Sequence, residues 1–265
     1  MNKFAAILYD SFLEIKSGKV IYLYAAVTLI MILIFALVPS MNINGENMFD
    51  SGLLSEQMVS GIFAHFFSGF FGFVIFLMVF GSAWLLPSYL SKGRSELILS
   101  KPIGRPALML MKFTSVFLIK AAILALISTA IYIILAIRLG SFSIQYFYGL
   151  FIAFIILLIV YSIVFVIGIL SRSGALALMG YFVVSIASGL LSNREMVYGF
   201  LGDSVWKKIL DVTYHILPKF NDIDSNIISL MNGQGFVDGY AIYSSLGFSV
   251  VIYLIALLIF RRRDY

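Results

Sequence analysis

Long apolar runs, separated by short polar stretches, dominate the pattern along this chain. Six of them are long enough to form helices across a hydrocarbon core of about 30 Å, which needs ~20 residues. The six predicted spans are residues 20–38, 62–86, 107–137, 147–170, 175–191 and 239–260. Uninterrupted runs of this length exclude a transmembrane β-barrel, whose strands alternate. The predicted fold class is therefore an all-α polytopic membrane protein, with residues 1–265 as one transmembrane domain.

The segment before the first run, residues 1–18, repeats its apolar positions at helical spacing. The apolar members are Phe4, Leu8, Phe12 and Ile15, and the charged residues Lys3, Asp10 and Glu14 are expected opposite them. This pattern predicts an N-terminal amphipathic helix that lies in the membrane interface.

The last outer loop, residues 192–238, is far longer than the first, residues 39–61, and it contains a second amphipathic pattern. Its apolar face comprises Val205, Trp206, Ile209, Leu210, Thr213 and Leu217, between a predicted cap at Asp203 and a break at Pro218. We expect a helix on or in the outer leaflet, and the alternative is an ordinary loop helix.

The stretch between the second and third spans, residues 87–106, places an apolar tripeptide among charged residues. Leu97, Ile98 and Leu99 stand there, and the helix breakers Pro102 and Gly104 follow them. The pattern predicts a short amphipathic helix in the cytoplasm, and an exposed apolar turn of this kind suits docking of a soluble partner.

Composition supports a lipid environment. The chain has 62% hydrophobic and only 12% charged residues, with a mean hydropathy of +1.04, whereas soluble domains are about a quarter charged. There is no cysteine, which excludes disulfides and thiolate chemistry. The net charge of +5 comes from residues at the ends of apolar runs, so we attribute it to membrane orientation and not to nucleic-acid binding.

The lysines and arginines are distributed unequally between the two sides. With a cytoplasmic N-terminus, twelve of the 18 lie on the cytoplasmic side, five lie outside, and Lys120 lies within the third span. The positive-inside rule then predicts both termini in the cytoplasm and a multi-pass protein of the cell's inner membrane.

Motifs for common chemistry are missing from the sequence. The nearest string to a phosphate-binding loop ends at Lys19-Val20 and has Leu13 at the first glycine position, so it lacks both the glycine and the hydroxyl. Neither H-E-x-x-H nor G-x-S-x-G occurs. We therefore expect no enzyme activity, no bound cofactor and no metal site in this chain.

Two isolated features admit a functional interpretation. Lys120 lies eight residues beyond Lys112, about 12 Å deeper along the third span, and either snorkels to the interface or lines a pathway for an anionic substrate. The group Met41, Met48, Met58 and His65 suits Cu(I) by ligand type, but its spacing matches no metal motif. Packing methionines and an interface histidine are the alternative.

The sequence from Ser91 to Arg105, S-K-G-R-S-E-L-I-L-S-K-P-I-G-R, followed by Lys112, resembles a motif of ABC transporter permease subunits. The similar class is the type-two exporters, especially the branch with the permease of the nitrous oxide reductase maturation system. The strings L-P-K-F-N-D, residues 217–222, and F-R-R-R-D, residues 260–264, are also similar to that branch. The resemblance covers essentially the whole chain.

This resemblance implies a permease subunit that forms the translocation pathway, and the direction it implies is export. Two permease chains, as a homodimer or a similar heterodimer, would pair in the membrane, and separate ATP-binding cassette ATPase subunits would dock below and use the ATP. It also implies that the coupling residues are Arg94, Glu96, Leu97, Ile98 and Leu99. A membrane scaffold or assembly factor, or a membrane enzyme, is the alternative function.

Overall fold

The computed structural model describes residues 3–18, 20–37, 42–43, 46–47, 56–85, 104–139, 142–201 and 205–262. Within these residues the helices are α1 (Lys3–Ser17), α2 (Val20–Leu37), α3 (Glu56–Ser82), α4 (Arg105–Leu139), α5 (Gln145–Ser171), α6 (Gly174–Ser192), α7 (Arg194–Leu201), α8 (Val205–Ile216), α9 (Phe220–Met231) and α10 (Gly239–Arg262). A small antiparallel pair joins β1 (Asn42–Ile43) to β2 (Glu46–Asn47) in the predicted first outer loop. The prediction of a predominantly helical protein is confirmed.

Within the described ranges five helices, α3, α4, α5, α6 and α10, are long and apolar enough to cross a membrane. A sixth crossing results if α1 and α2, which meet at an angle of 66°, are counted as one bent span. The chain is therefore a multi-pass helical membrane protein with five or six crossings, and the predicted number of six stays a prediction. We call the end of the bundle where α6 ends and α10 begins the outer end, after the predicted orientation.

Helix α5 forms the centre of the bundle. In its most apolar window 72% of the residues are buried, and α3, α4, α6, α9 and α10 all pack against it. Every residue from Ile159 to Val166 is buried. A helix that is covered on all sides needs apolar residues on all sides, which explains why this span lacks an amphipathic pattern.

Close helix contacts at the inner end depend on a glycine. A Cβ on Gly174, the first residue of α6, would lie 2.8 Å from the Trp84 ring and 2.9 Å from the Ala83 carbonyl oxygen. The preceding turn is tight, because Arg172 adopts a left-handed conformation (φ 53°) and Ser173 caps α6 by accepting a hydrogen bond from the Leu176 amide. Small residues at such points let membrane helices approach each other.

Helix α9 is the main departure from the prediction, which treated this part of the chain as loop. Its Ile223 and Ile227 are completely buried, and it packs across the outer ends of α3, α5 and α6. The first amides of a helix have no partner within it. Here the Phe220 amide donates to Ser188 of α6 (2.8 Å), and the Lys219 amide donates to Ser245 of α10 (2.9 Å). These hydroxyls allow α9 to begin among membrane-spanning helices.

Asn226 of α9 holds the loop that leads to α10. Its side-chain oxygen accepts hydrogen bonds from the Val237 amide (2.9 Å) and the Asp238 amide (3.1 Å). Its side-chain nitrogen donates to the carbonyl oxygens of Asp222 and Asp238. The loop turns at Gly233, whose φ of 73° suits glycine. Asn226 thus uses all its hydrogen-bonding groups with no solvent exposure.

Helix α1 forms where the amphipathic pattern predicts a helix, and its position in the membrane interface stays a prediction. The residues that it buries against the protein are Ile7, Ser11 and Ile15, whereas Phe12 is 43% exposed. Glu14, which was expected on the polar side of the helix, is turned toward the protein because Lys112 of α4 lies there and needs a carboxylate. A buried cation of the partner helix therefore decides the rotation of α1.

Candidate functional site

The predicted coupling residues Arg94, Glu96, Leu97, Ile98 and Leu99 lie outside the described residues. The described chain stops at Leu85 and resumes at Gly104, immediately before α4. The nearest described polar groups in the sequence are therefore on the first turns of α4, and they form the inner half of the candidate site.

The inner ion cluster consists of Lys112, Glu14 and Asp10. The Lys112 side chain is only 2% exposed, and its Nζ lies 2.8 Å from a carboxylate oxygen of Glu14 and 3.6 Å from one of Asp10. Glu14 is itself 10% exposed, whereas Asp10 is about half exposed. Such pairing offsets part of the cost of burying the cation. The cluster fixes α1 to the start of α4, although Glu14 and Lys112 are 98 residues apart in the sequence.

Lys120 lies two turns further along α4 and does not reach the surface. Its side chain is 2% exposed, and its Nζ lies 4.0 Å from the centre of the Tyr161 ring of α5. The ring face attracts a cation electrostatically. Snorkelling to the interface is therefore wrong for this residue, because α5 provides an aromatic partner within the bundle.

At the outer end a second polar group, the outer aromatic cluster, consists of Arg194, Tyr214, Lys219, Asp222 and Tyr240. The Lys219 side chain is 2% exposed, and its Nζ lies 4.6 Å from the Tyr214 ring centre and 4.9 Å from that of Tyr240. The Arg194 guanidinium lies 3.6 Å from the Tyr214 ring centre. The Tyr214 hydroxyl donates to Asp222 over 2.7 Å. This cluster connects α7, α8, α9 and α10.

Burial shifts the pKa values of two members of this cluster, Lys219 and Tyr214. It lowers the pKa of Lys219, although the carboxylates of Asp222 and Asp238 oppose the shift. Burial also raises the pKa of Tyr214 to about 12, and the hydrogen bond to Asp222 adds to this effect. The tyrosine therefore stays neutral at physiological pH and keeps its proton available for Asp222.

Asp224, on α9, makes a contact with the membrane-spanning helix α3. The Ser68 hydroxyl donates to Asp224 Oδ2 over 2.6 Å, between residues 156 positions apart. Burial raises the pKa of the Asp224 carboxyl above its ordinary value, and the hydrogen bond from Ser68 and the charge of His65 only partly offset this. Ionisation of the Asp224 carboxyl therefore opposes the packing of α9 on α3.

Replacing Asp224 with asparagine is expected to stabilise the protein at neutral pH. Because the folded-state pKa is raised, the folded protein binds this proton more tightly than the unfolded chain does. Stability is therefore greatest below the ordinary pKa of 3.8 and falls as the pH rises through the folded-state pKa. The introduced amide would keep an acceptor for Ser68. Thermal unfolding in detergent from pH 4 to pH 8 should show a flatter profile for Asp224→Asn. The exposed Glu195→Gln is the control, and parallel profiles for the wild type and Asp224→Asn would contradict the prediction.

The residues considered for Cu(I) are only partly described. Met41 and Met48 lie outside the described residues, and Met58 is 59% exposed. His65 is exposed, and its Nδ1 lies 2.8 Å from the Gly61 carbonyl oxygen. Among the described residues, no group of three or more histidines and acidic residues is arranged to hold a metal ion. The described residues therefore give no further support to the Cu(I) interpretation.

Sequence reasoning missed both clusters. Each joins residues that are far apart in the chain, and the sequence showed only the individual signals, such as a lysine at the start of a span.

No protein-family model matches the chain, and no curated protein matches it.

Proposed function

We propose that this protein is the permease subunit of an ABC transporter of the type-two exporter class. Two such chains would form the translocation pathway, and separate ATPase subunits would bind the segment of residues 87–106. The observation that carries the proposal is the inner ion cluster, because it joins an N-terminal amphipathic helix to the helix that directly follows the predicted docking segment.

The position of Lys112 supports a mechanical role for this cluster. It lies seven residues after Arg105, the first residue of α4, so it stands about 10 Å along the helix from the docking segment. A helix transmits displacement along its axis as a rigid element. A push on residues 87–106 would therefore move α4, and the buried pair with Glu14 would move α1 with it.

The helix order also supports the proposal. The class that residues 91–105 resemble has a leading interfacial helix and a long outer segment before the last span. Here an amphipathic helix precedes the spans, and three shorter helices, α7, α8 and α9, lie between α6 and α10, which fits that layout. The distribution of lysine and arginine supports a cytoplasmic position of the docking segment.

The test is co-purification with an ATP-binding cassette ATPase encoded beside the permease gene. The double substitution Leu97→Asp, Ile98→Asp would place two unpaired charges in the docking surface, and such burial costs several kcal/mol. We expect at least a tenfold loss of bound ATPase, since ~1.4 kcal/mol corresponds to a factor of ten. The mass of the wild-type complex, measured at the same time, should show two permease chains and two ATPase subunits.

The control is Phe236→Asp, an apolar-to-acidic change at an exposed position of the outer end. It should leave the ATPase bound. Wild-type amounts of ATPase on a normally expressed Leu97→Asp, Ile98→Asp permease would exclude this docking surface. A stable wild-type complex with a single permease chain would exclude the proposed pairing.

A further inference from the structure

We propose that α8 is seated in the interfacial zone of the lipid leaflet at the outer end of the bundle, and that lipid thereby holds α9 in place. The apolar face of α8 would contact the acyl chains, and its opposite face would contact the protein. This inference does not depend on the proposed transport function.

The first observation is an exposed apolar stripe along α8. Val205, Ile209, Val212 and Ile216 recur at intervals of four, three and four residues, so they lie on one side of the helix. They are between 47% and 71% exposed, and Trp206 beside them is 65% exposed. With 12 residues the helix is about 18 Å long, too short to cross a core of about 30 Å. It can only lie along the membrane surface or outside it.

The opposite side of α8 is fixed to the protein. Tyr214 is 7% exposed, and its ring lies beneath the Arg194 guanidinium. Asp211 accepts a hydrogen bond from the Tyr198 hydroxyl of α7. The rotation of α8 is therefore fixed by the buried Tyr214 and by the contact of Asp211 with α7, so the apolar stripe faces outward because the opposite side is held to the protein.

The level of α8 in the bundle coincides with the ends of two spans. Arg194 follows the last residue of α6, Ser192, by two positions, and it contacts Tyr214. His215 is hydrogen-bonded over 2.7 Å to the hydroxyl of Tyr240, the second residue of α10. The end of a membrane-spanning helix lies near the headgroups. These contacts therefore place the C-terminal turn of α8 at the depth of the interface.

The stripe also continues a surface that faces lipid. Helix α8 packs against α6, and the exposed side of α6 carries Val183, Ile186 and Leu190, each at least 63% exposed. Lipid that covers this side of a spanning helix also reaches the helix lying at its outer end. Trp206 followed by Lys207 and Lys208 is the composition typical of an interface, where an indole and long cationic side chains are both stable. These observations favour lipid over a second protein chain as the occupant.

The position of α8 affects α9 through the contacts of the outer aromatic cluster. Tyr214 donates its hydroxyl proton to Asp222 of α9, and the Lys219 amine beside the start of α9 lies over the Tyr214 ring. Withdrawal of α8 from the membrane would remove Tyr214 from both partners. Lipid contact with α8 should therefore protect the backbone amides of α9 from exchange.

The test uses the fluorescence of Trp206 in the full-length protein. Trp84→Phe leaves Trp206 as the single tryptophan, since the chain contains two. The variant is reconstituted into phosphatidylcholine vesicles with bromine near the carbonyl end of the acyl chains, near the methyl end, or absent. We expect shallow bromine to remove about half of the emission, and deep bromine to remove much less, as for a helix buried ~5–10 Å into the leaflet.

Two variants supply the comparison. Val205→Ser, Ile209→Ser removes part of the stripe and should reduce quenching and raise hydrogen exchange in α9. Met196→Ser changes a residue that is 72% exposed on α7 and outside the stripe, and it should alter neither. The measurement is repeated in vesicles that contain a fraction of phosphatidylglycerol. Any additional quenching would then come from attraction of Lys208 to the anionic headgroups and not from contact with the acyl chains, and Lys208→Gln should abolish it.

Absence of quenching by shallow bromine would overturn the proposal. If Trp206 were then shielded from soluble iodide in proportion to the protein-to-lipid ratio, a second copy of the chain would be the occupant. If iodide quenched it freely, α8 would stand in water. Quenching without any change of α9 exchange in the Val205→Ser, Ile209→Ser variant would overturn the link to α9.

Discussion

Replacing Glu14 with glutamine is expected to lower the free energy of unfolding by about 3 kcal/mol, because it leaves the buried Lys112 ammonium without its nearer carboxylate. Asp10 is 3.6 Å away and about half exposed, so it compensates only in part. Chemical or thermal unfolding of the purified protein in detergent measures the change. A loss of less than about 0.5 kcal/mol, which is usual for surface substitutions, would contradict the description of a buried pair.

A double-mutant cycle separates the ion pair from its surroundings. Lys112→Met combined with Glu14→Leu replaces the pair by apolar groups, and this double variant should lose less stability than the sum of the single variants. Lys16→Met is the control, since Lys16 is an exposed lysine on the same helix. A strictly additive double variant would mean that Lys112 and Glu14 act independently.

Replacing Asn226 with alanine is expected to cost about 3 kcal/mol, because a side chain without solvent exposure loses four hydrogen bonds at once and each contributes ~0.5–1.5 kcal/mol. Two of these bonds come from the amides of Val237 and Asp238, and two go to the carbonyl oxygens of Asp222 and Asp238. Hydrogen exchange should rise in residues 232–238 before it rises elsewhere. The measurement is an unfolding curve together with peptide-level exchange.

Ser225→Ala is the matched control for this prediction. Its hydroxyl donates only to the Asp222 carbonyl oxygen of the same helix, so its loss should cost no more than ~1 kcal/mol. Equal effects of Asn226→Ala and Ser225→Ala would show that Asn226 does not hold the loop.

The positions of the long helices could be predicted because lipid imposes a simple length rule. Helices α4, α5, α6 and α10 begin and end within two residues of the predicted runs, since apolar runs end where charged or small polar residues begin. Helix α3 differs at both ends, because it runs from Glu56 to Ser82 whereas the predicted run is 62–86. A polar first turn carries no hydropathy signal, and so the prediction started the helix too late.

Helix α9 was missed because its polar residues are satisfied by contacts that the sequence does not show. Asp222, Asp224 and Asn226 are typical loop residues, yet each bonds to another element or to the following loop. The usable signal was the spacing of Ile223, Ile227 and Met231 by four residues, all of which are buried. Hydropathy alone cannot separate such a short, half-polar helix from a loop.

The inward position of Glu14 and the burial of Lys120 could not be predicted for a related reason. Both depend on a partner from another helix, Lys112 for Glu14 and Tyr161 for Lys120. An amphipathic pattern shows which side of an isolated helix is polar, but it does not show which polar residue pairs with a buried group of another helix. The coupling residues at 94–99 stay a prediction from the sequence.

The central place of α5 has a consequence for how the protein enters the membrane during synthesis. This helix is the most apolar of the five candidate spanning helices among the described residues and also the most buried, and three of the helices that cover it, α6, α9 and α10, follow it in the chain. When it leaves the ribosome and the translocon it therefore meets lipid before it meets those partners. Its lack of charged residues allows it to remain in the bilayer alone, whereas α9, with its two aspartates, can enter only after α3, α5 and α6 are assembled to receive it. The order of elements along the chain therefore implies that α5 enters lipid before α6, α9 and α10 cover it, and that the polar helix α9 packs onto spans that are already in the membrane.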